Sequence, residues 1–292
     1  LSPEALTHRI YALSPEGAQR LHPDPYPDPF YALYGCLVPG LYEAARTYPG
    51  GKVYGFERHL RRLLAGCEAA EVRPSLTEDQ LRQALQQAID DHPDELLKLR
   101  WDLCNEPYAG LGTTARMIAT ITPLAPLPEW VWEEGVQVRT THELVRHRPS
   151  TKGSAFAVER HRIAYGDRDY FEPVLLSNSG KLLEGAQSNF GAFLGGRLHA
   201  STRDALPGIT IGTLIELARA NGLEVVEEPV SIEQLGSLDE AFLCSSVRGV
   251  VPISRIDETA IGSGRPGPSV TKLWGWYQAY ATQHAARLWP KP

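Results

Sequence analysis

Three short stretches of the chain carry groups able to do chemistry. Lys152 stands in Arg148-Pro149-Ser150-Thr151-Lys152-Gly153-Ser154, just ahead of an apolar, Ala-rich segment. A lysine amine shielded from water has a lowered pKa and becomes a nucleophile toward carbonyl carbon. Further on, Leu182-Leu183-Glu184-Gly185-Ala186-Gln187-Ser188-Asn189-Phe190 places Glu184 between an apolar strand and a turn-like glycine. A carboxylate held there can keep a heteroaromatic nitrogen protonated. Then Pro207-Gly208-Ile209-Thr210 opens a segment whose apolar residues Leu214, Ile215, Leu217 and Ala218 form a helical stripe. A helix start offers unpaired N–H groups and a positive dipole end to a phosphate, and Gly208 lets the backbone come close to it. Taken singly, each stretch also fits a plain structural reading: a solvated loop lysine, a strand-end glutamate and an ordinary helix start with Thr210 near its cap.

The elements that must position these groups are legible from periodicity and punctuation. Gly40–Tyr48 reads as a strand closed by Pro49-Gly50-Gly51, after a lead-in over 22–39 that Pro23, Pro25, Pro27, Pro29 and Pro39 keep from being helical. From Glu57 onward, Leu60, Leu63, Leu64 and Cys67 follow helical spacing. A second helix begins at Thr77, with Gln80 completing a capping box and Leu81, Leu85 and Ile89 on one face. Strands are expected near Leu97–Cys104, Ala115–Ile121 and Val136–Thr141, and a helix over Ala155–Tyr165. Turns fall at Asn178-Ser179-Gly180 and Gly195-Gly196, with later strands at Leu223–Glu227 and Ala241–Ser245. Strands and helices mix without a strict βα repeat, so the fold class is α+β (mixed α/β). Thr122-Pro123-Leu124-Ala125-Pro126-Leu127-Pro128 reads as a stiff linker at 123–128. It divides a smaller domain, 1–122, from a larger one, 129–292, that carries Lys152.

Composition narrows the function classes. The chain has 292 residues, 42% apolar and 22% charged, with a formal net charge of −6 and no run of Lys or Arg. That balance suits a globular protein and argues against a nucleic-acid surface or an anionic membrane as partner. Cys36, Cys67, Cys104 and Cys244 form no C-x-x-C pair, and His59, His147 and His161 are scattered, so no metal site is expected. The chain opens at Leu1 without a signal-like pattern and has no membrane-length apolar run, which gives a cytoplasmic expectation. No P-loop is present to support nucleotide binding.

The order of the pieces resembles the class IV pyridoxal-phosphate enzymes: branched-chain aminotransferases, D-amino-acid aminotransferases and aminodeoxychorismate lyase. That family runs from a lysine to E-G-x-x-S-N-x-F or close to it, then to P-G-I-T before a helix. Here stand Lys152, then Glu184-Gly185-Ala186-Gln187-Ser188-Asn189-Phe190, then Pro207-Gly208-Ile209-Thr210. Tyr42-Glu43-Ala44-Ala45-Arg46 resembles F-E-x-x-R and His59-Leu60-Arg61-Arg62-Leu63 resembles H-x-x-R-L. Glu240-Ala241-Phe242-Leu243-Cys244-Ser245-Ser246 resembles E-x-F-x-x-G-T. The resemblance implies the two-domain fold type IV, like D-amino-acid aminotransferase, with pyridoxal 5'-phosphate as cofactor. Lys152 would hold the cofactor and shuttle the proton at the substrate α-carbon. Glu184 would pair with the ring nitrogen. Backbone N–H groups of Ile209 and Thr210, the Arg62 guanidinium and the Ser246 hydroxyl would hold the phosphate.

It further implies a homodimer that moves an amino group between an amino acid and a 2-oxo acid. A lyase on the same scaffold, giving 4-aminobenzoate and pyruvate, and a non-catalytic cofactor-binding protein are the alternatives. Two departures bear on substrate. Ala157 stands five residues after the lysine, where branched-chain enzymes carry Tyr, and Ser245-Ser246-Val247-Arg248 replaces G-T-A-A. Tyr42, Arg100 and Arg248 are the pocket candidates. Arg62 lies opposite the Leu60, Leu63, Leu64 and Cys67 face, so stability without cofactor is expected to depend little on it.

Overall fold

The computed structural model describes residues 8–23, 39–164 and 170–290. Cys36, the prolines at 25, 27 and 29, and the expected helix end at Tyr165 lie outside the described residues. The chain divides into two units. The first comprises Leu1–Ala125, Thr151–Val158 and Thr282–Pro292, and the second Pro126–Ser150 and Glu159–Ala281.

The first unit is built on a six-stranded antiparallel sheet. Its strands are β1 (Arg9–Ser14), β2 (Gly17–Arg20), β3 (Gly40–Tyr48), β4 (Lys52–Val53), β5 (Leu97–Cys104) and β6 (Met117–Pro123), in the order β2-β1-β6-β5-β3-β4. Alternation along β3 and β5 gives the sheet two distinct faces. Leu41, Ala45, Leu97, Leu99, Trp101 and Leu103 join one apolar core with Leu60, Leu63 and Cys67 of α1 (Phe56–Ala69) and Leu81, Leu85 and Ile89 of α2 (Glu78–Asp90). The capping box read at Thr77 and Gln80 is present in both directions. On the second face Ile10, Ala12, Cys104, Tyr108 and Ile118 form a smaller cluster.

The division at Ala125/Pro126 falls inside the proline-rich linker, but Lys152 belongs to the first unit rather than to the larger C-terminal one. Backbone pairing is the reason. Gly153 bridges Leu41 on β3, Tyr42 N donates to Lys152 O at 3.0 Å, and Gly40 N donates to Ser154 Oγ at 2.8 Å. The chain end returns to the same unit through an Ala286–Val53 bridge, with Leu288 in the core.

The second unit contains β7 (Val136–Thr141), β8 (Glu172–Leu176), β9 (Leu182–Gly185), β10 (Asn189–Leu194), β11 (Arg197–Ala200), β12 (Val225–Val226), β13 (Glu240–Ser245), β14 (Gly249–Ile256) and β15 (Thr259–Ala260). The order is β12-β11-β10-β13-β14-β7-β8-β9. β9 pairs again with β10 at Glu184 opposite Asn189, so six strands close on themselves. The ring encloses Val136, Val174, Leu182, Phe190, Ala192, Leu243 and Val251. Among the described residues, four further α-helices follow: the short α3 (Trp130–Glu133), α4 (Ser154–Ala164) after Lys152, α5 (Ile209–Ala220) and α6 (Pro268–His284).

Periodicity left several elements unread. β1 and β2 precede the first expected strand and α6 follows the last. β14 is disguised by Pro252, which reads against a strand. Pro252 is tolerated because β7 joins β14 only from Ile253 onward. β12 is shorter than expected, covering Val225–Val226 of Leu223–Glu227.

Candidate active site

In the first unit, Lys152 sits at the entrance to α4 with its backbone added to the edge of β3, which fixes where its side chain starts. Its Nζ lies 5.1 Å from the centre of the Tyr42 ring. The Arg100 guanidinium covers the same ring at 4.1 Å. Register explains the meeting: Tyr42 is opposite Asp102 and Ala44 opposite Arg100, so Tyr42, Arg100 and Asp102 share a sheet face. Arg100 Nε and Nη2 donate to the two oxygens of fully buried Asp102 at 2.7 and 2.6 Å. Three residues nominated from sequence, Lys152, Tyr42 and Arg100, therefore gather at one place.

Glu43 points to the other face, toward α1. Its carboxylate accepts from Arg62 Nε at 2.8 Å and Arg62 Nη2 at 2.6 Å, and from His59 Nδ1 at 2.8 Å. His59 and Arg62 are three residues apart on α1 and so lie on the same side of the helix. Burial alone would push the Glu43 carboxyl up, but the Arg62 charge, with hydrogen bonds from Arg62 and His59, holds it well below the usual carboxylate range. Burial presses the His59 imidazole below its ordinary value. Glu43 opposes this, while the charges of Arg62 and Lys152 add to it. The side chains of Glu43 and His59 are fully enclosed and that of Arg62 is 8% exposed. Arg62 thus does not lie on a solvated helix face. Removing it strands a buried carboxylate, and the expectation that stability hardly depends on it does not hold.

In the second unit, Glu184 is the penultimate residue of β9 and almost fully buried. Its Oε1 pairs with Arg146 Nε at 2.5 Å, and its Oε2 accepts from Leu206 N at 3.3 Å. Sequence reasoning did not nominate Arg146; it lies in a loop whose pattern carries no signal. Asn189, the bridge partner of Glu184, donates from Nδ2 to Leu206 O at 2.8 Å. Its Oδ1 occupies the space a side chain at residue 208 would need: a Cβ on Gly208 would come within 1.8 Å of it. Gly208 is the N-cap of α5, and no side chain caps that helix. The first N–H groups of α5, those of Ile209 and Thr210 among them, lack intrahelical partners by geometry. Thr210 Oγ1 lies 3.4 Å from Ser246 Oγ and 3.3 Å from the hydroxyl of Tyr277 on α6, a residue no motif had singled out. Glu184, Asn189, Gly208, Thr210 and Ser246 therefore form one continuous chain of contacts.

Arg248 is already engaged. Its Nη2 pairs with Glu172 Oε2 at 2.5 Å and its guanidinium lies 5.0 Å over the Phe171 ring. Among the described residues no group of three or more His, Cys, Asp or Glu is placed to hold a metal ion, and no helix is long and apolar enough to cross a membrane.

These pieces suit a phosphorylated heteroaromatic ligand. A helix start without a side-chain cap, beside two hydroxyls, has the donors a phosphate requires, and Glu184 is a buried acceptor for a ring N–H. Comparison with known proteins agrees. The family described as amino-transferase class IV matches residues 40–256. The D-alanine aminotransferase of Bacillus licheniformis is 28% identical over 238 residues, covering 78% of this chain and 83% of that protein. The branched-chain-amino-acid aminotransferase of Pseudomonas aeruginosa is 24% identical over 255 residues, covering 80% and 81%. The crystal structure of a T.th. branched-chain amino acid aminotransferase with pyridoxamine 5'-phosphate superposes with a TM-score of 0.79 at 19% identity, over 96% of this chain and 98% of that one. That likeness speaks to the fold, while the family match spans both units and takes in Arg62, Lys152, Glu184, Ile209, Thr210 and Ser246. The chain belongs to the class IV aminotransferases.

Proposed function

We propose that the protein is a pyridoxal-phosphate-dependent aminotransferase that moves an amino group between an amino acid and a 2-oxo acid. The observation that carries this is the run of contacts from the buried Glu184 through Asn189 to the uncapped start of α5 at Gly208. It links an acceptor for a ring nitrogen to donors for a phosphate in a chain of this family. When bound, the cofactor supplies an electron sink for the negative charge left at the substrate α-carbon.

The residues divide the remaining work. Lys152 holds the cofactor and moves the proton at the substrate α-carbon. Its amine lies 5.1 Å from the centre of the Tyr42 ring, which the Arg100 guanidinium also covers, so the nucleophile stands beside both pocket candidates. Glu184 keeps a proton on the ring nitrogen, and Arg146 fixes the direction of its carboxylate. Ile209 and Thr210 N–H groups, the Ser246 hydroxyl and Arg62 bind the phosphate. Tyr42 and Arg100 line the substrate side. The curated relatives described above are named aminotransferases, which supports amino transfer over elimination. Their names also support D-alanine-like or branched-chain amino acids as the substrate classes to try first. Family resemblance supports a homodimer.

Purified protein loaded with pyridoxal phosphate is expected to be yellow. Adding a panel of D- and L-amino acids should change its visible spectrum and a 2-oxo acid should restore it, while aminodeoxychorismate supplied separately should give no stoichiometric pyruvate. Lys152→Ala should abolish the visible band of the covalently held cofactor. A wild-type protein that stays colourless with excess pyridoxal phosphate overturns the reading.

A further inference from the structure

Glu172, the first residue of β8, is a buried carboxylate outside every motif read from the sequence. The residue is 2% exposed. Its Oε1 accepts from Gln187 N at 2.6 Å and from Ser188 Oγ at 2.7 Å, and its Oε2 faces Arg248 Nη2 at 2.5 Å. Both donors on Oε1 belong to the turn that joins Glu184-Gly185 to Asn189. The rest of that turn is fastened as well. Ala186 N donates to Pro173 O at 2.9 Å, and Ala186 O accepts from Arg160 Nη1 at 3.2 Å. Strand register sets Leu175 opposite Glu184 and Val174 opposite Gly185, so the two glutamates rise from paired strands. A Cβ at residue 185 would lie 2.4 Å from Glu172 Oε1 and 2.4 Å from Ser188 Oγ. The Glu172 carboxylate fills the space that a side chain next to Glu184 would occupy, which is the physical reason for a glycine there.

We propose that Glu172 is a positioning residue for Glu184, and that Arg248 holds the Glu172 carboxylate against the 185–188 turn. The assignment rests on the reading of Glu184 given above. Glu184 is the penultimate residue of β9, one residue before this turn, so a turn that loosens displaces its backbone. A reacting or polarising group displaced by about 1 Å costs roughly a hundredfold in rate. The assignment also explains the arginine in Ser245-Ser246-Val247-Arg248. Its charge is answered inside the protein by Glu172, and the guanidinium is braced on Phe171.

The test compares holoenzymes of wild type, Glu172→Gln and Arg248→Gln at saturating amino donor, each in the native and the Glu184→Gln background. In the native background both variants are expected to bind pyridoxal phosphate within about threefold of wild type. Their kcat should fall by about tenfold to a hundredfold, with KM changed less than about twofold. In the Glu184→Gln background the same changes should alter kcat by less than about twofold, because the group they position is already gone. Equal losses in both backgrounds would show a merely structural role and overturn the proposal, as would a folded Glu172→Gln enzyme with near wild-type kcat. If Glu172→Gln does not fold, Arg248→Gln carries the same cycle, since that side chain is 24% exposed. A wild-type protein that binds no pyridoxal phosphate overturns the function reading itself, and this assignment with it, before any variant is compared.

Discussion

Arg62 and Glu43 meet through two hydrogen bonds, 2.8 and 2.6 Å long, with the Glu43 carboxylate fully enclosed between the sheet and α1. The residue that the family pattern assigns to the cofactor phosphate is therefore also part of the first unit's interior. Its two roles separate by experiment, because one exists without cofactor and the other does not.

Arg62→Ala leaves a buried carboxylate with only His59 beside it. Breaking a buried pair from one side costs about 3–5 kcal/mol. Urea titration of the cofactor-free protein should show a loss of that size in the first unit. Replacing both members, as Arg62→Met with Glu43→Leu, should recover much of it. The double variant should still bind pyridoxal phosphate more weakly than wild type. An unchanged midpoint for Arg62→Ala would show that Glu43 finds another partner.

Acid should weaken the same cluster in two stages. The folded His59 value lies below the unfolded value of about 6.5, so below that pH the unfolded chain takes up a proton that the folded one refuses. Stability should begin to fall as pH drops through about 6.5. The folded Glu43 value lies well below the unfolded one of about 4.3, so its contribution is present above that pH and lost progressively beneath it. Melting curves from pH 8 to about pH 2.5 should show both slopes in wild type. His59→Gln should shrink the upper one to what partly buried His199 contributes in the same direction, and keep the lower. A His59→Gln profile parallel to wild type near pH 6.5 would remove His59 as the cause.

Gly208→Ala tests the start of α5. Gly208 has an ordinary φ of −70°, so an alanine suffers no backbone strain; its Cβ would instead drive into Asn189 Oδ1. Overpacking of this kind costs about 1–3 kcal/mol. Displacing Asn189 should also loosen Leu206 and move the helix start, so pyridoxal phosphate affinity should fall along with stability. Full affinity in a variant of lower stability would separate the helix start from the phosphate.

The sequence by itself determined the strands and helices with clean periodicity: β3, β5 and β7 to the residue, and α2 with its capping box. It also determined the ordered motifs that mark Lys152, Glu184 and the Pro207–Thr210 turn. These depend on nearest neighbours along the chain, which is where sequence patterns carry information. Only the tertiary structure decided which unit holds Lys152, because a backbone bridge from Gly153 to Leu41 joins residues more than a hundred positions apart. The same limit hid Glu172, Arg146 and Tyr277. Each acts through a partner brought close by sheet register or helix packing, and a single charged or phenolic residue carries no periodic signal of the partner it will meet. Arg62 shows both sides. Its place on α1 was readable from 3.6-residue spacing, but the glutamate that receives it comes from a strand, and only folding sets that carboxylate beneath the helix.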